Sequence, residues 1–283
     1  MFGKRALIVA VVTMILAAGG THALAAESRA VDPKTGCQLF FVSDTYTLTG
    51  AGWTGPVVDG KAEGKGTVTL VTRSNDGREE TRIQGEAEMA AGRLDGKAGL
   101  KYSDGASFDG TYKSGLREGK GTYLGKNISY AGEWKNGKFD GRGIYKGDGQ
   151  TYDGDWKEGK RDGTGTFQYM DGSVYEGEWK DNKRHGRGVF NNKRSEGTYV
   201  GEYRNGHEEG KGKITFLAGV TYEGDFKSGS MDGQGVYRWP DGRTLTGAFQ
   251  NGQPHGFGVL RDPGGKVEYE GEYIAGKRAM KAE

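Results

Sequence analysis

Three histidines, one cysteine and a repeating row of acids are the residues of this chain best suited to chemistry. Past residue 26 the histidines are His185, His207 and His255, and the single cysteine is Cys37. Acids or imidazoles recur at Glu63, Glu118, Asp140, Asp162, His185, Glu209, Asp232 and His255. On successive hairpins such residues stand ~10 Å apart, two strand spacings. Oxygen ligands lie at roughly 2.0–2.6 Å from an ion, so neighbours in this row cannot share one. The row reads as decoration of a repeat, with no metal and no cofactor expected. No His-Glu-x-x-His helix, Cys/His cluster or phosphate-cradling loop is present, and chance Gly-x-Gly matches carry no weight in so glycine-rich a chain. A glycosidase pair of carboxylates would need a pocket that raises one pKa, which a single-layer sheet rarely offers. The chain is expected to have no catalytic residues and not to be an enzyme.

The second candidate chemistry is binding by aromatic rings. One row comprises Tyr112, Trp134, Trp156, Trp179, Tyr203, Phe226, Phe249 and Tyr273, and a second comprises Phe108, Tyr130, Tyr152, Tyr175, Tyr199, Tyr222 and Tyr269. They suit either a packed layer between strands or an open groove for a peptide, a helix or a glycan. The first row supplies the candidate groove residues. Acids stand just before it (Glu133, Asp155, Glu178, Glu202, Asp225, Glu272) and bases just after it (Lys113, Lys135, Lys157, Lys180, Arg204, Lys227). A further basic set is Lys65, Lys120, Arg142, Arg187 and Lys211. Alternating signs on one strand face predict cross-strand pairs in solvent, each worth at most ~1 kcal/mol.

The elements that position these residues follow from spacing. Units start at Phe108, Tyr130, Tyr152, Tyr175, Tyr199, Tyr222, Leu245 and Tyr269, in steps of 22 to 24 residues. Two looser copies begin at Trp53 and Ile83. Tyr130, Gly132 and Trp134 alternate along a strand and share a face. Asn136-Gly137 is a two-residue hairpin turn signal, and the return strand is expected to bring Gly141, Gly143 and Tyr145 to the aromatic face. Asp148-Gly149 turns the chain into the next unit. Two turns per unit give two antiparallel strands per unit, so the fold is all β.

The pattern Tyr-x-Gly-x-Trp-x-x-Gly-x-x-x-Gly-x-Gly resembles the MORN repeat over residues 48 to 278. The resemblance implies an elongated, twisted ribbon of tandem hairpins whose rings line a groove. Gly36-Cys37-Gln-Leu-Phe-Phe followed by Trp53 is also similar to the start of secreted bacterial members. Those members often carry a second cysteine early in the first repeat; Val57 stands near that place here. Some eukaryotic members are associated with membranes, and plant lipid kinases carry the repeats, but no kinase motif occurs in this chain.

Composition frames the function. The chain has 54 glycines in 283 residues and 11% aromatics, against a hydrophobic share of 34%, which argues for strands and tight turns rather than disorder. Residues 1–26 read as a signal peptide: Lys4 and Arg5, an apolar run from Ala6, then Ala23-Leu24-Ala25. An uncleaved anchor is the other reading, although the run is short for a ~20-residue span. Without residues 1–25 the chain has 38 bases against 38 acids, so its basic pI is no nucleic-acid footprint. Residues 27–47 read as an N-terminal cap, 48–107 as divergent repeats, 108–278 as the regular array and 279–283 as a tail; the charged run Lys277-Arg278-Ala279-Met280-Lys281 reads as off-pattern and as a cap for the other end. The expected function is a non-enzymatic binding or scaffold protein, exported to the periplasm or cell surface. Its expected partner is another protein, a second copy included. The alternative is an envelope module for glycan or phospholipid.

Overall fold

A computed structural model describes residues 26–279; all but the last residue of the expected signal peptide and most of the expected tail lie outside them. The described chain is nearly all β, with one 3-10 turn at Leu217–Gly219. No helix among the described residues is long and apolar enough to cross a membrane. Two compact units are present, one of residues up to 148 together with 155–160, the other of 149–154 and 161 onward.

In the first unit, Tyr46–Trp53, Gly64–Ser74, Glu80–Ala90, Arg93–Tyr102, Ser107–Lys113, Leu116–Leu124, Ile128–Lys135 and Lys138–Gly147 each pair antiparallel with the next. The second unit runs on the same plan, from the hairpin of Val174–Lys180 and Lys183–Asn192 to that of Val267–Ile274 and Lys277–Arg278. Each unit is therefore a meander of hairpins in chain order, as the two turn signals per repeat require. The turns have the expected geometry, with positive φ at both central residues: Asn136 at 50° and Gly137 at 78°.

Three details differ from the sequence expectation. The first looser copy is irregular. Trp53 ends its strand, Pro56 supplies no N–H to continue the ladder, and Val57–Val58 and Lys61–Ala62 join a separate small sheet with Glu27–Val31 and Gln38–Val42. The N-terminal segment therefore does more than cover an end strand. Its strand Gln38–Val42 crosses the tips of the first hairpins, burying Cys37 and Leu39 completely. At the other end, Lys277 and Arg278 are on pattern, forming the return strand opposite Ile274 and Tyr273.

Asp32 anchors the N-terminal segment to the first long strand. It is 3% exposed, and burial alone would raise its carboxyl pKa. Hydrogen bonds from the Lys34 N–H, the Thr35 hydroxyl and the Trp53 N–H outweigh that cost and hold it below the ordinary carboxylate value.

Candidate functional site

The aromatic face is built from rings laid over bare backbone. Tyr130 pairs with Tyr145 and Gly132 with Gly143 across one hairpin. The Tyr130 ring folds over Gly143, where an added Cβ would overlap it, and its hydroxyl donates to the Glu133 carbonyl at 2.9 Å. Tyr175, Tyr199 and Tyr222 repeat that hydrogen bond to Glu178, Glu202 and Asp225 at 3.0 Å. The tryptophans reach backward instead. The Nε1–H of Trp134, Trp156 and Trp179 donates at 3.1 Å to the carbonyl of Gly121, Gly143 and Gly165, each in the preceding hairpin. Tyrosine thus closes its own hairpin, and tryptophan ties hairpin to hairpin.

All eight candidate groove residues lie in this packed layer. Tyr112, Trp134, Trp156, Trp179, Tyr203, Phe226, Phe249 and Tyr273 range from 2% to 8% exposed. Their rings meet neighbours edge-on, as between Trp134 and Tyr130 at 5.2 Å and between Phe226 and Tyr199 at 5.0 Å. Desolvation pushes the phenols of Tyr130, Tyr175, Tyr199 and Tyr203 up from their ordinary value, and that of Tyr222 up to about 12. No flat ring face of this row is open for a sugar to stack on.

A further row on this face escaped the sequence reading. The residue directly opposite the second aromatic is Arg117 across from Tyr112, Phe139 across from Trp134, Arg184 across from Trp179 and Glu208 across from Tyr203. Arg117 covers the Phe108 and Trp134 rings at 4.6 and 4.8 Å, and Arg184 lies 4.8 Å from the Tyr203 ring. The signal was present in the spacing, two residues past the second central residue of each hairpin turn, Gly115, Gly137, Asn182 and Gly206. It was masked because the residue type varies from repeat to repeat.

The third glycine of each unit is not on the aromatic face. Gly141 has φ 95°, beside a bulge in the ladder, and an added Cβ would meet the Glu133 side chain. The acid before the second aromatic thus lies over a left-handed backbone. In two hairpins it also accepts the next N–H: Arg187 to Glu178 at 2.8 Å and Gln234 to Asp225 at 2.9 Å.

The row expected to be decoration is a latch. The Asn136 N–H donates to Glu118 at 3.0 Å, Glu158 to Asp140 at 3.0 Å, Ser228 to Glu209 at 3.0 Å and Asn251 to Asp232 at 3.3 Å. In each case the donor is the first residue of the following hairpin turn. The turn glycine beside it donates to the preceding hairpin as well, as Gly137 does to the Arg117 carbonyl at 2.9 Å. Both central turn residues are thus bonded to the repeat before.

The charges pair, though not all of them as expected. Lys65 meets Glu88, Arg142 meets Asp155 at 3.5 Å, and Lys211 and Lys213 meet Asp225 and Glu223. Those bases belong to the return strands. The bases just after the second aromatic, Lys135, Lys157, Lys180, Arg204 and Lys227, form no ion pair among the described residues. In the second unit a shallow open depression of about 620 Å³ lies on the charged face, lined by Val200, Lys211, Lys213, Glu223, Gln234 and Val236 among others. Among the described residues no three His, Cys, Asp or Glu come together as a metal site.

A model of the MORN repeat matches the sequence at residues 108–127, 130–151, 152–174, 175–191, 199–219, 222–242 and 246–267, together more than half of the chain. The chain belongs to the MORN-repeat family. Its matched MORN repeats begin at or beside the unit starts read from the sequence; the copies from Trp53, Ile83 and Tyr269 lie outside the match. MORN repeats serve generally in binding proteins or membranes. No curated protein matches this MORN chain.

Proposed function

We propose that this MORN chain is a non-enzymatic scaffold of the cell envelope, exported by its N-terminal segment, whose ligand is another protein. The observation that carries the reading is the burial of the aromatic layer. With the eight rings of the second-aromatic row 2% to 8% exposed, the surface left for a ligand is the charged face and the hairpin edges. That face mixes ion-paired lysines and carboxylates with exposed apolar residues such as Val200 at 49% and Ile144 at 39%. The return-strand bases are already paired with carboxylates, so a polyanion gains little from them, and the apolar spots between them suit a protein surface.

The test is size-exclusion chromatography with light scattering on the chain from residue 27 onward, alone and after mixing with envelope extract. The expected result is a shift into a larger complex containing a second protein. A chain that stays unchanged in extract while sedimenting with cell wall or with vesicles would overturn the reading in favour of glycan or lipid. Fractionation of cells expressing the full chain tests export, and recovery in the cytosol alone would remove the envelope from the proposal.

A further inference from the structure

In the second unit the charged face follows one pattern and then departs from it. Two successive return strands set a base opposite an acid of the next outgoing strand: Arg187 opposite Glu202, and Lys211 opposite Asp225. Lys213 opposite Glu223 adds a further such pair, and both lysines form ion pairs with the acids they face. A second row of bases follows the second aromatic, at Lys180, Arg204 and Lys227. Beyond Lys227 both rows stop. Gln234 and Phe257 take the return-strand positions of Arg187 and Lys211, and Gln250 and Ile274 take the tip positions of Arg204 and Lys227.

What replaces the bases is apolar and open to solvent. Phe257 is 53% exposed and Ile274 is 61% exposed. Val259 shares the strand and the face of Phe257. Thr246 lies opposite Val259 on one side and Val236 on the other, and Ala248, which stands where earlier hairpins carry an acid, lies opposite Gln234. The open depression on this face adjoins the patch, with Gln234, Val236 and Thr246 in its wall. The acids of the last long strand remain. Glu272 lies opposite Phe257 and Glu270 opposite Val259, so neither faces a base across the ladder. Glu268, Glu270 and Glu272 are exposed and form no ion pair among the described residues. Bases stand only at the two ends of the patch. Arg261 there donates to the Gly265 carbonyl at 3.1 Å, and Lys277 lies opposite Ile274.

We propose that this face, centred on Phe257, docks a segment of a partner protein that carries basic side chains beside an apolar one. The apolar side chain would pack on Phe257, Val259 and Val236. The cations would take the places on Glu270 and Glu272 that Lys211 takes on Asp225, supplying the bases that these hairpins lack. Charge decides between this occupant and two others. An anionic lipid surface would be brought against exposed carboxylates. A second copy bound through the same patch would set Glu270 and Glu272 against their own counterparts, because a two-fold contact brings like surfaces together. The proposal rests on the protein-scaffold reading and names one docking surface for it.

The experiment measures fluorescence anisotropy of a labelled peptide of alternating Lys and Leu binding the full chain, with a peptide of alternating Glu and Leu for comparison. The variant Phe257→Lys restores the base that earlier hairpins set opposite the acid. It is expected to keep or raise the melting temperature, because Glu272 gains a cross-strand partner, and to weaken binding of the Lys peptide by about tenfold or more. Glu270→Gln/Glu272→Gln is expected to weaken it about tenfold and to remove most of its salt dependence. The Glu peptide is expected not to bind. Equal binding by either variant, or a wild-type chain that binds both peptides alike or neither, overturns the proposal. So does displacement of the Lys peptide by phosphatidylglycerol vesicles, which would assign the face to lipid. Self-association of the wild-type chain that Phe257→Lys abolishes also overturns it, in favour of a second copy. If the Phe257→Lys chain still captures the protein found in envelope extract, the scaffold reading stands and this face is not its docking surface.

Discussion

Tyr203 stands where the three preceding hairpins carry Trp134, Trp156 and Trp179, and it does not do their work. Its Oη is buried and has no hydrogen-bond partner among the described residues, whereas each tryptophan Nε1–H reaches a glycine carbonyl one hairpin back. An unsatisfied buried hydroxyl costs about 1–3 kcal/mol of desolvation. Tyr203→Phe is therefore expected to leave stability unchanged or raise it, while Tyr175→Phe, which loses the 3.0 Å bond to the Glu178 carbonyl, lowers it by about 1 kcal/mol. Tyr203→Trp is expected to be the most stable of the three, with Nε1 directed at the Gly188 carbonyl. Urea midpoints rank them, and a loss for Tyr203→Phe as large as that for Tyr175→Phe would mean that its hydroxyl is bonded after all.

At the scale of the hairpin, the ring and the glycine beneath it are one unit. A Cβ at Gly212 would run into the Tyr199 ring, which is 3% exposed and has nowhere to move. Gly212→Ala is expected to cost about 3 kcal/mol. The same change in a Tyr199→Leu background should cost much less, so a double-mutant cycle measures the coupling, and additive losses would refute it. The latch belongs to the same scale. Glu209→Ala is expected to cost about 1 kcal/mol through the Ser228 N–H, and Glu209→Gln, which keeps an acceptor oxygen, should recover most of it. The hairpins, their turns and their aromatic face were legible in the sequence because period-two alternation and Asn-Gly signals are local. The latch and the true ion pairs were not. They depend on register between hairpins, and the bulge between Gly132 and Trp134 shifts that register in a way residue types do not reveal. The same shift turns Gly141 onto the acid face and sets Phe139 against Trp134. The groove residues were legible as a row, but how deeply a ring is buried follows from how far it leans over its neighbour's glycine.

For the molecule as a whole, the phenols set an alkaline limit on stability. Tyr130 in the first unit and Tyr175, Tyr199, Tyr203 and Tyr222 in the second have hydroxyls that burial holds in the neutral form. An unfolded tyrosine ionises near 10.0, whereas folded Tyr222 does so at about 12. Between those values the unfolded chain has released a proton that the folded chain keeps, so stability falls as pH rises. The contribution is fully present below pH 10 and is lost on rising through the folded values. Because each hairpin is held mainly by its neighbours, opening one exposes the tyrosines next to it, and ionisation should spread along the unit. Tyrosinate absorbance and circular dichroism followed together on raising the pH should therefore change in step. The buried set is expected to titrate in one steep phase as the β signal disappears. If the buried set instead titrates gradually with the sheet intact, the rings are reached by water in the folded state, and the aromatic layer is a groove after all.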